Sequence, residues 1–366
     1  MIKFADLNQQ YEEYKSEIDN AIQGVINSAQ FINGDEVKAL EADLAEFSGV
    51  KHVIACSSGT DALLVPQMAM DIKPRDEIIV PAFTYYASAS MVSHWGATPV
   101  FVDVDPVTFN IDPEKIEEKI TKKTKAIFGV SLYGQTADFD AINRLADKNG
   151  LWVLEDGAQS FGAQYKGKRS CNLTKVATTS FFPAKPLGCY GDGGAMFTND
   201  DDLAIKLRQL VNHGQVKRYT HKYVGINGRL DTIQAAILRI KLKYFDNEIE
   251  MRQSAADYYT SAFQDSKNII TPEIIPDRSS SWAQYTVRIP NRDEARQKLQ
   301  VLGIPTSVHY PMPVNRQEAF SFLGDNTHYD NAELLSKEVI SLPMHGFISR
   351  DDQNQVIEAV KKVVNG

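Results

Sequence analysis

The chain has 366 residues, 43% of them hydrophobic and 23% charged, with a formal net charge of −8. That length exceeds what a single hydrophobic core normally serves, so two domains are expected in a globular protein of ordinary composition. The acidic balance disfavours a general nucleic-acid binder, and no apolar stretch reaches the roughly 20 residues of a membrane span. Three cysteines (Cys56, Cys171 and Cys189) without paired spacing suggest neither a disulfide framework nor a metal site. They fit a reducing cytosol, and residues 1–11 are polar with no signal-peptide core, so a cytoplasmic location is expected.

In chain order, a helix opens at Asp35, which is read as its cap. Val37, Leu40, Leu44 and Phe47 form its apolar stripe, and Gly49 ends it. Short apolar runs then follow at 53–55, 77–80, 100–102, 126–130, 152–154, 178–181 and 195–197, predicting seven strands. Pro66 lies inside the helix predicted after Asp61 and should kink it. A second clear helix covers 139–148 and stops at Asn149-Gly150. Strand–helix alternation predicts a three-layer α/β/α large domain, residues 1–245, with a mostly parallel seven-stranded sheet. From Asp231 to about Phe263 there is no Gly or Pro, and Ile233, Ala236, Ile237, Ile240 and Tyr244 recur at helical spacing. One long helix leaving the large domain is expected there. Residues 246–366 read as a smaller C-terminal α+β domain, with strands at 284–289 and 306–309 and a helix at 351–364.

Three motifs carry chemistry. Ser57-Ser58-Gly59-Thr60-Asp61 follows the first strand. Gly59 permits a tight turn, Thr60 and Asp61 can cap the next helix, and its first amides would face an anion. The same residues also suit an ordinary capped helix. Asp156 closes an apolar strand, at the end where ligands gather in α/β sheets. A buried carboxylate needs a partner, and a pyridine nitrogen is one; a helix cap at Asp156-Gly157-Ala158 is the alternative. Lys185 is flanked by Phe181, Phe182, Pro183, Pro186 and Leu187. A lysine so desolvated can lose its proton, attack a carbonyl and shuttle protons. An anion cradle, a carboxylate and a lysine are the three parts needed to hold pyridoxal phosphate. The glycines from Gly188 to Gly194 run G-x-x-G-x-G-G, which is not dinucleotide spacing, and suit close approach to a ligand or another chain.

Taken together, the motifs resemble the DegT/DnrJ-type nucleotide-sugar aminotransferases, fold-type I enzymes that use pyridoxal 5′-phosphate. The likeness begins at Ile2-Lys3-Phe4-Ala5-Asp6-Leu7 and runs through Phe31-Ile32-Asn33-Gly34, Ser58-Gly59-Thr60-Asp61-Ala62-Leu63 and Pro81-Ala82-Phe83-Thr84. It continues through Leu132-Tyr133-Gly134-Gln135, Glu155-Asp156-Gly157-Ala158-Gln159, Ser180-Phe181-Phe182-Pro183-Ala184-Lys185 and Asn227-Gly228-Arg229-Leu230-Asp231. The resemblance implies that Lys185 anchors the cofactor and moves protons, and that Asp156 partners its ring nitrogen. It implies Gln159 near the ring hydroxyl, Tyr85 stacked on the ring, and Gly59, Thr60 and Ser180 at the phosphate. Asn227 would reach the phosphate from a neighbouring subunit, making a homodimer with shared active sites. Relatives that replace the lysine with histidine dehydrate their substrates, so Lys185 favours transamination. Ser131 and Gly228 depart from the family's usual histidine and serine, which puts sugar specificity in question but not the cofactor's anchors.

The 182–194 segment resembles the group acting on 3-keto UDP-N-acetylhexuronates, where the equivalent of Arg229 meets the sugar carboxylate. Arg229 could equally brace Asp231. His309 and Tyr310 fall at a lid position over the sugar, or form a plain turn before Pro311-Met312-Pro313. The implied reaction is amination, with glutamate as donor, at C3 of UDP-2-acetamido-2-deoxy-ribo-hex-3-uluronate, for bacterial surface polysaccharide such as lipopolysaccharide O-antigen. Its nearest rival is a 4-keto-6-deoxy or 3-keto-6-deoxy nucleotide sugar. A non-catalytic cofactor binder and an NAD-linked sugar dehydrogenase are the other classes to separate.

Overall fold

The computed structural model describes residues 2–365. Helices α1 (Leu7–Ser28) and α2 (Asp35–Ser48) lead into β1 (His52–Cys56) and α3 (Gly59–Ala69). Then come β2 (Glu77–Pro81), α4 (Ala87–His94), β3 (Thr98–Val102), β4 (Thr124–Val130), α5 (Phe139–Asn149) and β5 (Trp152–Asp156). β6 (Val176–Ser180), β7 (Gly194–Thr198) and α6 (Asp201–Leu210) complete the sheet region. All seven runs read as strands are strands. They form one sheet in the order β1-β7-β6-β5-β4-β2-β3, in which β7 runs antiparallel to both neighbours and every other pairing is parallel.

Each strand feeds both faces, because side chains alternate along it. Ile54, Ile78, Val80, Phe128 and Leu154 pack on one face with α3, α4 and α6. On the other face Val53, Ala55, Ala195 and Phe197 pack with α2, while Ile79, Val102, Ile127 and Val153 pack with α5. A sheet covered on both sides is the expected α/β/α sandwich of fold type I.

Local signals hold with small corrections. Gly34, not Asp35, occupies the cap position of α2, and Gly49 in the left-handed region (φ 70°) ends it. Asp138 caps α5 by accepting from the Ala141 amide at 3.0 Å. α3 continues through Pro66 as one helix.

The long helix expected after Asp231 is two, α7 (Thr232–Lys243) and α8 (Phe245–Phe263). The break falls at Tyr244, whose amide bonds the Lys241 carbonyl at 3.2 Å instead of continuing the ladder. Its ring stacks on Tyr14 of α1, with centroids 4.4 Å apart and planes 6° from parallel, and its hydroxyl donates to Glu17. A contact with a helix some 230 positions away sets this break, so no local residue announces it.

In the C-terminal part, β8 (Tyr285–Arg288), α9 (Arg292–Val301), α10 (Asp330–Glu338), β9 (Val339–Leu342) and α11 (Arg350–Asn365) follow in order. β8 pairs antiparallel with β9, which the sequence reading missed. Residues 306–309 are not a strand; only Ser307 bridges, to Ser341. Tyr259 and Phe263 of α8 pack with Tyr285, Val287, Ile340 and Val356 in a separate cluster that Ile2 joins. Val314, Phe320 and Leu335 instead pack into the cluster under the large sheet, and Tyr329 donates to the Phe101 carbonyl at 3.1 Å. Among the described residues no helix is long and apolar enough to cross a membrane, and no His, Cys, Asp and Glu cluster suits a metal.

Candidate active site

The carboxyl ends of β5 and β6 and the start of α3 open onto one cavity of about 430 Å³. From α3 and the β6 end come Gly59, Thr60 and Ser180; from β5 and the turn after it come Asp156 and Gln159. Tyr85, Lys185, His309 and Tyr310, also singled out by the sequence, line the same cavity.

Asp156 is 5% exposed. Its Oδ2 accepts from the Ser88 hydroxyl at 2.9 Å and its Oδ1 from the Ala158 amide at 3.1 Å. Burial raises its pKa, and these two donors and the Lys185 charge oppose that rise. No helix follows Asp156, so it caps none; its carboxylate braces the turn at Ala158 and presents a buried acid to the cavity. Neighbouring Glu155 faces away from the cavity wall and is fully buried. It accepts from the Ser170 hydroxyl at 2.8 Å and from the Cys171 and Leu173 amides at 2.7 and 3.2 Å. Burial nevertheless pushes its pKa up to about 7, against the three donors.

Lys185 keeps some solvent contact, yet dense surroundings lower its pKa, with only Asp156 opposing the shift. A lysine nearer to neutrality at working pH is a better nucleophile and proton carrier. A turn holds it, in which its amide donates to the Phe182 carbonyl at 2.8 Å. Lys241 of α7, 2% exposed, donates to the Gly188 carbonyl just beyond and lies 4.9 Å from the Tyr190 ring centroid. Burial lowers the Lys241 pKa to about 8 against the pull of Glu248.

The cradle at α3 is built from close backbone approach. Ser58, not Thr60 or Asp61, caps α3 by accepting from the Asp61 amide at 3.0 Å. A Cβ at Gly59 would sit 2.5 Å from Ser180 Cβ, and one at Gly194 would sit 2.4 Å from the Ser58 carbonyl oxygen. Gly194 thus serves close packing within this chain. First-turn amides beside a serine hydroxyl suit a phosphate.

Facing the acid, Gln159 Oε1 accepts from the Tyr133 amide at 2.7 Å, so its Nε2 is turned to donate to the Tyr310 hydroxyl at 3.1 Å. The Tyr310 and Tyr85 rings lie 6.0 Å apart, and Tyr85 is 55% exposed, with a face free for stacking. His309 is held by the Ser307 and Ser341 hydroxyls at 3.2 and 3.0 Å. Burial, helped by the Lys185 charge, lowers its pKa to about 4, so it is neutral at physiological pH.

Asn227 and Arg229 do not line this cavity. Asn227 is exposed, and Arg229 donates through Nη1 to Asn212 Oδ1 at 2.9 Å rather than bracing Asp231. Arg229 borders a separate hollow with Lys38, Glu41 and Arg208. The sequence reading missed Thr84, Asp192 and Gln284 in the cavity wall, Ser88 behind the acid and Lys241 behind the lysine turn. Thr84 ends the Pro81-Ala82-Phe83-Thr84 motif, which is the signal that could have found it. Ser88 and Lys241 carry no local signal, since each acts on a residue more than 50 positions away.

Residues 12–361 match the DegT/DnrJ/EryC1/StrS aminotransferase family. The chain is 53% identical over 348 residues to the UDP-2-acetamido-2-deoxy-3-oxo-D-glucuronate aminotransferase of Pseudomonas aeruginosa, covering 95% of this chain and 96% of that one. It is 45% identical to a pleiotropic regulatory protein of Geobacillus stearothermophilus, covering 98% and 97%. The crystal structure of DesV from S. venezuelae superposes with a TM-score of 0.97 at 40% identity, over 100% of this chain and 99% of that one.

Proposed function

The chain belongs to the DegT/DnrJ/EryC1/StrS aminotransferase family, and from that premise we propose that it aminates C3 of UDP-2-acetamido-2-deoxy-ribo-hex-3-uluronate, using pyridoxal 5′-phosphate and glutamate. The observation that carries the substrate is the 53% identity, across nearly the whole length of both chains, to a relative named for that 3-oxo glucuronate. A 6-deoxy sugar nucleotide is the rival, and it would offer Arg229 no carboxylate.

The cavity fits the cofactor. An anion cradle that no side chain at Gly59 could share, a buried acid and a half-buried lysine line one space. When bound, pyridoxal phosphate supplies an electron sink for a developing carbanion. The protein's own groups do the rest. Asp156, its charge steadied by Ser88 and the Ala158 amide, would face the ring nitrogen and keep it protonated. Gln159, fixed by the Tyr133 amide, would sit near the ring hydroxyl, and Tyr85 would cover one face. Gly59, Thr60 and Ser180 take the phosphate. Lys185 Nζ would anchor the cofactor and would take and return the proton at the donor's α-carbon and at the sugar carbon that is aminated. Neutral His309 and Tyr310 close over the sugar without adding charge beside Lys185.

Asn227 and Arg229, set apart from this cavity in one chain, would serve the active site of a second copy. A homodimer with shared sites, a division of the chain near residue 245, a cytoplasmic location and a place in surface polysaccharide assembly belong to the same proposal.

Purified protein incubated with pyridoxal phosphate should turn yellow, and borohydride should fix an adduct on Lys185. Glutamate and the 3-keto uronate should then give the 3-amino uronate, while Lys185→Ala should lose turnover by about 10⁴ or more. A colourless protein, or full turnover without Lys185, would sink the reading. Retained cofactor without amination of any ketosugar would favour a regulatory binder, and preference for a 6-deoxy ketosugar would favour the rival substrate.

A further inference from the structure

A second cavity of about 90 Å³ adjoins Lys185 and shares Lys185, Ala184, Gln284 and His309 with the first. Its far wall is built by Arg252 and Glu248 of α8, Gln10 of α1 and His345. All four are at least nine-tenths buried: Arg252 and His345 at 8% exposure, Gln10 at 7% and Glu248 at 2%. Four buried polar atoms of this wall have no partner: Arg252 Nε, His345 Nδ1, Gln10 Oε1 and Gln284 Oε1. Twelve buried side-chain polar atoms lack a partner among the described residues, and four of them gather in this one wall, where each costs about 1–3 kcal/mol until water or a ligand serves it.

Charge decides what belongs there. Arg252 donates through Nη1 to the Trp282 carbonyl at 3.1 Å and forms no ion pair among the described residues. Lys241 adds a second buried cation nearby, bonded to a carbonyl rather than an acid. Glu248 is the one fully buried acid of the group, and both its oxygens accept from Gln10 Nε2, at 2.9 and 2.8 Å. Two buried cations thus face one fully buried carboxylate; Asp6, also in the wall, is 16% exposed and already paired with Lys3 at 2.9 Å. Buried guanidinium is normally paired with an acid. The space corresponds to about three waters, or to a carboxylate with one or two waters. Such water can serve the Gln10 carbonyl, whose sign does not suit an anion, while the Gln284 amide can turn its Nε2 inward.

We propose that this cavity receives the side-chain carboxylate of a dicarboxylic amino donor, held by Arg252 and Gln284. The inference rests on the aminotransferase reading, since the donor's reacting carbon must sit at Lys185. The side-chain carboxylate reaches past the lysine, whereas the α-carboxylate stays in the larger cavity.

The test uses holoenzyme, wild type and Arg252→Gln. Adding glutamate should change the cofactor's absorbance in both, with the apparent Kd raised about tenfold or more in the variant. The reverse half-reaction, started with amino sugar, should keep its rate. Calorimetry with glutarate, an unreactive diacid, should show binding to wild type and its loss in the variant. Gln284→Leu serves as second variant if Arg252→Gln does not fold, and should weaken both glutamate and glutarate. Equal slowing of both half-reactions, or glutarate binding that neither variant alters, overturns the proposal and leaves a water-filled structural cavity. A wild type whose absorbance ignores glutamate would instead count against the aminotransferase reading, and glutarate binding would still report on the carboxylate site.

Discussion

The Ser88 hydroxyl donates to Asp156 Oδ2 at 2.9 Å, tying the first turn of α4 to the end of β5. Ser88 is 1% exposed, so no solvent competes for this bond. A hydrogen bond to a charged acceptor inside a protein is worth about 1.5–3 kcal/mol.

Ser88→Ala should therefore raise the Asp156 pKa, because one of the two donors that oppose its burial is gone. The acid limb of the rate profile should move to higher pH, with kcat/KM falling about tenfold to a hundredfold. An unmoved limb would separate Ser88 from the acid's function.

Gly59→Ala should damage the anion cradle rather than the sheet. The added methyl meets Ser180 Cβ at 2.5 Å, and overpacking of this kind costs about 1–3 kcal/mol. Cofactor dissociation measured by fluorescence should accelerate more than Tm falls. A variant that binds pyridoxal phosphate as tightly as wild type would place the phosphate elsewhere.

Glu155 makes stability fall as pH rises. Its folded pKa of about 7 exceeds the ordinary 4.5, so between those values the folded chain binds more protons than the unfolded one. Its contribution is complete below pH 4.5 and is lost as pH passes 7, on the order of 3 kcal/mol in all. Glu155→Gln should flatten the decline of Tm between pH 5 and 8. The same decline in the variant would assign it to another group.

Two buried histidines act in the opposite sense. Burial holds His309 and His345 at about 4, against 6.5 in the unfolded chain. Their contribution is complete above pH 6.5 and is lost as pH falls toward 4. Ring resonances followed by NMR should show neither histidine titrating between pH 5.5 and 8. A midpoint near 6.5 for His309 would mean that it is open to water and carries charge beside Lys185.

The sequence alone determined the features whose cause is local. Seven apolar runs became the seven sheet strands, because burial on both faces demands unbroken apolar residues within each one. Gly49 and Gly150 stop helices through their own backbone conformation, and Lys185 carried its apolar flanks beside it. Tertiary structure decided what depends on distant partners. It set the antiparallel course of β7, the pairing of Val339–Leu342 with Tyr285–Arg288, and the break at Tyr244 imposed by Tyr14. It also brought Ser88 to Asp156 and Arg252 to the wall behind Lys185. Periodicity and propensity act over a few residues, whereas desolvation and charge pairing act between whatever surfaces the fold presses together.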